Sequence, residues 1–387
     1  MNSTVPFGSI CQLQNGRAFQ SCEWAEAGVP IVRIQNLNNE DKTFNYCTLD
    51  IESRFHVNTG DLLFSWSGTP GTSFGAFFWN RGLGYLNQHI FRVDIDHSRV
   101  EKNYLRYAIN AQLNIIIEQA HGGVGLKHIT KGRLEAVEVP LPMLNQQKRI
   151  AAILDKADSI RRKRREALTL ADDFLRTVFL EMFGDPVLND MDWPVAALDT
   201  VADVRSGATK GRKLQDKPTI TLPYMRVANV QDGRLALDDI QEIEVLTSEV
   251  NKYSLQAGDL LLTEGGDPDK LGRGAVWNAE LLQCLHQNHI FAVRANTVRV
   301  LPEFLSAQIS SLRGKRYFLK VGKQTTGIAT INKTVLSQYP TLVPPLAAQQ
   351  KYVEVTAKIR SYKESLQIAL QASEEFFSAN SAKLLSA

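Results

Sequence analysis

Two stretches of the chain place apolar residues at spacings of 3, 4 and 7. Residues 143–183 contain no Pro or Gly, and Ile150, Ile153, Leu154, Ala157, Ile160, Ala167, Leu168, Ala171, Phe174, Leu175, Val178 and Met182 fall on one stripe. That pattern predicts one long amphipathic helix, opened after Pro142 and stopped by Gly184-Asp185-Pro186. Residues 346–385 repeat it, with Val353, Thr356, Ile359, Tyr362, Leu366, Ala369, Leu370, Phe376 and Phe377 on the stripe. Forty helical residues span about 60 Å, so each stripe needs a partner. The simplest solution packs the two helices as an antiparallel coiled coil with an approximate two-fold; the alternative folds each helix back on its own globule. Elsewhere short β-type runs dominate, such as Pro30-Ile31-Val32-Arg33-Ile34, Asp61-Leu62-Leu63-Phe64-Ser65-Trp66 and His89-Ile90-Phe91-Arg92-Val93, bounded by Gly and Asn turns. Helical patterns at 102–119 and 302–321 accompany them, which predicts an α+β class.

The β-rich parts are copies of each other. Leu13-Gln14-Asn15-Gly16 matches Val204-Arg205-Ser206-Gly207 at an offset of 191, and Val32-Arg33-Ile34-Gln35-Asn36-Leu37 matches Met225-Arg226-Val227-Ala228-Asn229-Val230 at 193. Gly60-Asp61-Leu62-Leu63 returns as Gly258-Asp259-Leu260-Leu261 at 198, and His89-Ile90-Phe91 as His289-Ile290-Phe291 at 200. Gly125-Leu126 aligns with Gly327-Ile328 at 202, and Pro142 through Gln146-Gln147-Lys148 with Pro345 through Gln349-Gln350-Lys351 at 203. An offset that grows steadily in chain order is the mark of a duplicated unit with small loop insertions. The expected organisation is a first globule over 1–141, a helical spacer over 142–191, a second globule over 192–341 and a second helical spacer over 342–387.

Composition narrows the class without deciding it. Of 387 residues 44% are hydrophobic and 22% charged, ordinary values for a folded globular protein. No apolar run approaches the ~18 residues of a membrane span, and residues 1–10 lack a signal-peptide pattern. Cys11, Cys22, Cys47 and Cys284 have no metal or disulfide spacing, so the expected compartment is the reducing cytoplasm. There is no GxxxxGK[ST], no GxGxxG after a strand, no HExxH and no GxSxG, and the aromatic-flanked double prolines of amino-methyltransferases are missing. No bound cofactor or metal is expected. His89 and His289 sit in matching Asn-His-Ile-Phe or Gln-His-Ile-Phe contexts, which suggests half-buried imidazoles bonded to backbone; a duplicated active site around them is the rival reading.

The net charge of +3 conceals local basic patches: Arg161-Arg162-Lys163-Arg164-Arg165 in mid-helix, and the loop-like Lys210-Gly211-Arg212-Lys213 and Arg313-Gly314-Lys315-Arg316. Two small polar segments fall at matching places, His121 to His128 with its Gly122-Gly123-Val124-Gly125, and Lys323-Gln324-Thr325-Thr326-Gly327. Arg and Lys suit guanine and phosphate, Gln and Asn suit adenine, and Thr suits either. Candidate DNA contacts are therefore Lys127, His128, Lys210, Arg212, Lys213, Arg316, Lys323, Gln324 and Thr325, with Arg161, Arg162 and Arg165 for phosphate.

Two globules, each followed by a long helix opening with a Gln-Gln-Lys segment, plus the twice-used Gly-Asp-Leu-Leu and Glu181-Met182-Phe183-Gly184-Asp185-Pro186, resemble the specificity (S) subunit of type I restriction–modification systems. The family often has Glu-Gln where this chain has Gln146-Gln147 and Gln349-Gln350. The resemblance implies a non-catalytic subunit whose two target-recognition domains each read half of a bipartite double-stranded DNA target, while the helices set the spacing. It also implies two methyltransferase subunits that bring S-adenosylmethionine, and restriction subunits that bring ATP and Mg. Phe179, Phe376 and Phe377 are candidates for subunit docking. The remaining rival is a coiled-coil scaffold that binds no DNA.

Overall fold

In the computed structural model, residues 3–39, 41–68, 74–121, 127–214, 217–266, 271–325 and 328–385 are described. Contacts divide the chain into two units, residues 1–167 with 366–387, and residues 168–365. Each unit therefore holds one β-rich globule and part of both long helices, which run over Leu144–Phe183 and Leu346–Leu384.

The two globules share a frame. In the first unit a four-stranded antiparallel sheet is ordered Cys11–Asn15, Ile90–Ile95, Leu62–Ser65, Gly75–Phe78. In the second the order is Ala202–Ser206, Ile290–Ala295, Asp259–Thr263, Gly274–Val276. Strand Leu62–Ser65 is buried at every position, as is Asp259–Thr263, which explains their near-continuous apolar letters. A second sheet follows in each unit, built on Val29–Val32 in the first and Thr219–Met225 in the second. In each it pairs in parallel with the strand leading to the repeated histidine, Gly84–Leu86 or Leu285–His286.

The repeated letters mark the joints of this frame. A Cβ on Gly16 would lie 2.1 Å from the Asn87 carbonyl oxygen, and one on Gly207 2.1 Å from that of His286, so only glycine permits the approach. Asn36 and Asn229 are buried. Each accepts from a backbone N–H three residues earlier, Arg33 at 3.1 Å or Arg226 at 2.9 Å, and donates back to loop carbonyls. Gly60 (φ +93°) and Gly258 (φ +89°) turn the chain so that each donates its N–H to a fully buried tryptophan, Trp79 or Trp277, at 2.6 and 2.8 Å.

Both helices are tied to their globules by one buried glutamine each. Gln147 Oε1 accepts from Glu101 N at 2.8 Å, and Nε2 donates to the Arg99 and Pro142 carbonyls. Gln349 makes the same set with Leu301 N, Arg299 and Pro344. The matching offset is thus 202, which corrects the alignment of letters at 203: the second glutamine of the first opening corresponds to the first of the second.

Within each unit the helix segments run antiparallel. In the first, Arg164 donates to the Ala369 carbonyl at 2.6 Å and Arg161 stacks 3.6 Å from the Phe377 ring, while Ile150 and Leu154 share a core with Leu384 and Leu385. In the second, Asp172 pairs with Lys363, and further along Phe179 and Phe183 meet Tyr352 at 5.7 and 5.5 Å. Each contact series descends one helix while climbing the other.

Two expected helices each divide. The first is Lys102–Ala111 then Leu113–Gln119, and the second is Pro302–Ser310 then Leu312–Val321. The Ser311 hydroxyl caps the last of these by accepting from Arg313 N at 3.2 Å. The segment Arg313-Gly314-Lys315-Arg316 is consequently helical and not a loop. Gly314 is there because a Cβ would strike the Ile309 carbonyl oxygen at 1.8 Å.

Candidate nucleic-acid interface

Solvent-facing chemistry in each globule gathers beside the repeated histidine. The backbone is the same in both units. Trp66 N donates to the His89 carbonyl at 3.2 Å and Trp66 O accepts from Ile129 N at 3.0 Å. In the second unit Glu264 N donates to His289 O at 3.0 Å and Glu264 O accepts from Ile331 N at 2.8 Å. Trp66 and Glu264 are therefore equivalent positions with unlike side chains. A short antiparallel ladder adjoins each, two-stranded in the first unit with Lys127–His128 on Ser67–Gly68, and three-stranded in the second with Ile328–Thr330 between Gly265–Gly266 and Lys323–Thr325.

The two imidazoles have different surroundings. Gln88 Nε2 lies 3.2 Å from His89 Nε2. His89 Nδ1 and Trp66 Nε1 are both buried without a hydrogen-bond partner among the described residues, with the rings 5.3 Å apart. Burial, then the nearby Arg33 charge, holds the His89 pKa below its ordinary value, so the ring is neutral at neutral pH. His289 is 56% exposed at its side chain and donates from Nδ1 to Glu264 Oε2 at 2.7 Å. The expected imidazole-to-backbone bonds are thus replaced by side-chain partners. With a tryptophan at one place and a carboxylate at the other, the two histidines do not share an apparatus for a common reaction.

Sequence reasoning missed a cleft of about 470 Å³ in the first unit, lined by Phe19, Trp24, Arg33, Gln35, Gln88 and His89 among others. Trp24 is 43% exposed and Arg33 sits 5.6 Å from its ring. Aromatic faces beside a guanidinium and amides are the groups that stack on bases and bond to their edges. The available signal was Trp24 itself, an indole in a polar segment. In the second unit Arg226 is drawn to Asp239 at 2.6 Å instead.

The family model described as Type I restriction modification DNA specificity domain matches residues 2–170 and 191–365. The chain belongs to this family. Among curated relatives, it is similar to the EcoBI type I restriction enzyme specificity subunit of Escherichia coli, 22% identical over 391 residues that cover 94% of this chain and 80% of that one. It is also similar to the EcoKI specificity subunit of Escherichia coli strain K12, 24% identical across 65% of this chain and 56% of that one. Of solved structures, the type I restriction–modification S subunit from M. genitalium shares the fold, with a TM-score of 0.62 at 12% identity over 100% of this chain and 96% of that one. A chain from a type I restriction–modification assembly study does so at 0.53 and 16%, over 99% and 97%.

In this specificity-domain chain the residues singled out by sequence are spread over several places. Lys127 donates Nζ to the Ile117 carbonyl at 3.2 Å, so its charge is tethered, while His128 is exposed. Lys210 and Lys213 are exposed on a loop, and Arg212 between them grips Glu249 at 2.5 and 3.1 Å. That ion pair holds the Glu249 carboxyl below its usual range. Arg316 is exposed on the helix Leu312–Val321. Gly122-Gly123-Val124-Gly125, Leu126, Thr326 and Gly327 lie outside the described residues.

Three of the five mid-helix bases are occupied within the first unit. Arg161 stacks on Phe377 and pairs with Asp158, Arg164 bonds to Ala369, and Arg165 pairs with Glu374. Arg162 and Lys163 face solvent. Phe179 is a correction: it is 5% exposed and stacks on Phe304, because the spacing that makes it apolar off-stripe points it at the second globule. Phe377 is half-buried beneath Arg161 and Tyr107, and Phe376 is 57% exposed.

Proposed function

We propose that this chain is the DNA sequence-recognition subunit of a type I restriction–modification complex, each unit reading one half of a bipartite double-stranded target. One observation carries the reading: two frames fixed by the same Gly, Asn and Gln joints carry chemically different side chains at matched positions. A duplicated enzyme would keep its chemistry and vary its surface. Here the frame is kept and the presented chemistry varies, which is what reading two unlike half-sites requires.

The chain itself performs no reaction in this reading. Two methyltransferase subunits bring S-adenosylmethionine and methylate adenine, and restriction subunits bring ATP and Mg for translocation and cleavage, in the cytoplasm where the DNA lies. The long helices dock the methyltransferases and set the distance between half-sites. Phe376 is an exposed apolar group available for that docking. Lys127, His128, Lys210, Arg212, Lys213, Arg316, Lys323, Gln324 and Thr325 are the proposed DNA contacts, and Arg162 the most accessible of the proposed phosphate contacts.

Mapping methylated adenines genome-wide with and without this gene tests the reading. A split motif that vanishes on deletion supports it, and an unchanged methylome refutes it. Gel-shift of the chain with its methyltransferase on duplex DNA separates it from a scaffold that binds no DNA. Arg212→Ala and Lys323→Ala should each weaken specific binding by about 1–3 kcal/mol; unchanged affinity in both rejects these loops as contacts.

A further inference from the structure

The paired corners differ in hydrogen-bond polarity. In both units an amide precedes the histidine and faces its Nε2: Gln88 at 3.2 Å from His89, Asn288 at 3.4 Å from His289. Against the Glu264 carboxylate the His289 Nδ1 can only donate, so that ring presents an Nδ1–H. In the second unit Glu264 Oε2 takes that proton's hydrogen bond at 2.7 Å. Its Oε1 has no hydrogen-bond partner among the described residues, so the corner ends in an oriented acceptor. In the first unit the acceptor is replaced by Trp66, whose Nε1–H is buried without a partner among the described residues, as is His89 Nδ1.

We infer that Glu264 is a specificity-determining position, selecting a base edge that offers an exocyclic amine, cytosine N4 or adenine N6, while Trp66 at the equivalent place of the first unit offers no such acceptor. The inference rests on the DNA-recognition reading above and adds to it which residue discriminates and by what chemistry. A carboxylate near DNA is repelled by phosphate and favoured only where it accepts from an amine, and in the major groove the cytosine and adenine amines are such donors. His289 is a positioning residue, since it holds one carboxylate oxygen and leaves the other without a partner among the described residues. Glu264 leads directly into Gly265–Gly266, which pairs with Ile328–Thr330 beside Lys323–Thr325, so the discriminating acceptor adjoins in the chain the sheet that carries the proposed contacts.

The test uses the full chain assembled with its methyltransferase. Methylated sites are mapped for the natural chain and for Glu264→Gln, whose amide both donates and accepts. Glu264→Gln is expected to lower discrimination at one base pair of one half-site by roughly tenfold or more, leaving the other half-site unchanged. Glu264→Asp, which keeps the charge at shorter reach, should retain the base preference at reduced occupancy. An unchanged motif in Glu264→Gln overturns the inference while the bipartite reading stands. Relaxation of both half-sites, or loss of all methylation by a variant that melts like the natural chain, also overturns it, because Glu264 then acts generally and not on one base. If the natural chain yields no bipartite motif, the reading beneath the inference fails instead.

Discussion

Gln147 and Gln349 stand 202 positions apart and close the same three hydrogen bonds between a long helix and its globule. Both are fully buried. Removing either amide strands a backbone N–H and two carbonyls away from water. Gln147→Ala and Gln349→Ala should therefore each cost about 1–3 kcal/mol, seen as a lower urea midpoint at unchanged slope. A loss below about 0.5 kcal/mol would mean that water replaces the amide.

Gly16→Ala and Gly207→Ala should be costlier than their small volume suggests. Each added methyl meets a backbone carbonyl oxygen at 2.1 Å, so backbone has to move, at about 3 kcal/mol. Gly132→Ala is the control, since a Cβ there meets nothing within 4 Å. Thermal melts of the three variants side by side decide the matter.

His286 makes the second unit acid-sensitive. Its Nδ1–H donates to the Tyr253 carbonyl at 2.9 Å, Nε2 is buried without a partner among the described residues, and burial lowers its pKa from 6.5. Because the folded pKa lies below the unfolded one, the unfolded chain takes up the proton first. Stability is therefore retained above about pH 6.5 and lost as pH falls below it. The first unit has fully buried Leu86 at the equivalent place, paired with Val32 as His286 is with Met225. His286→Leu should flatten the fall in melting temperature between about pH 7.5 and about pH 5; an unaltered slope assigns the acid sensitivity elsewhere.

Arg161→Ala and Arg162→Ala should separate structure from phosphate contact within one basic run. Arg161 lies over Phe377 and pairs with Asp158, so its loss should cost about 1–2 kcal/mol of stability. Arg162 faces solvent, and its loss should stay within about 0.5 kcal/mol while weakening DNA binding by the complex and reducing its salt dependence. Equal effects of the two on stability would refute the division.

The parts of this architecture legible from letters are those where one residue type alone meets a backbone demand. Gly16 with Gly207, Asn36 with Asn229 and the helix-opening glutamines appear as repeated motifs because each fills a joint that tolerates no substitute. The long helices were legible from spacing alone. Gly314 misled, since its close approach to Ile309 has the same letter as a turn, and Phe179 misled because apolar character does not tell which neighbour covers it. The one-residue slip at Gln147 arose because a Gln-Gln pair matches itself in two registers, and only the hydrogen bonds distinguish them. The Trp66–Glu264 correspondence was invisible: unlike letters carry no signal of equivalence, yet unlike letters at one place are what two readers need.

The division of the chain at residues 167/168 and 365/366 bears on the order in which its parts are made. Residues 168–365 are contiguous, so that unit has its whole complement of contacts as soon as its last turn of helix leaves the ribosome. The other unit lacks part of the cover over Ile150, Leu154 and Tyr107 until 366–387 arrive. The first globule to be synthesised is thus the last to be completed, and a stop codon placed just after residue 365 would uncover part of the earliest-made core while leaving the later unit whole.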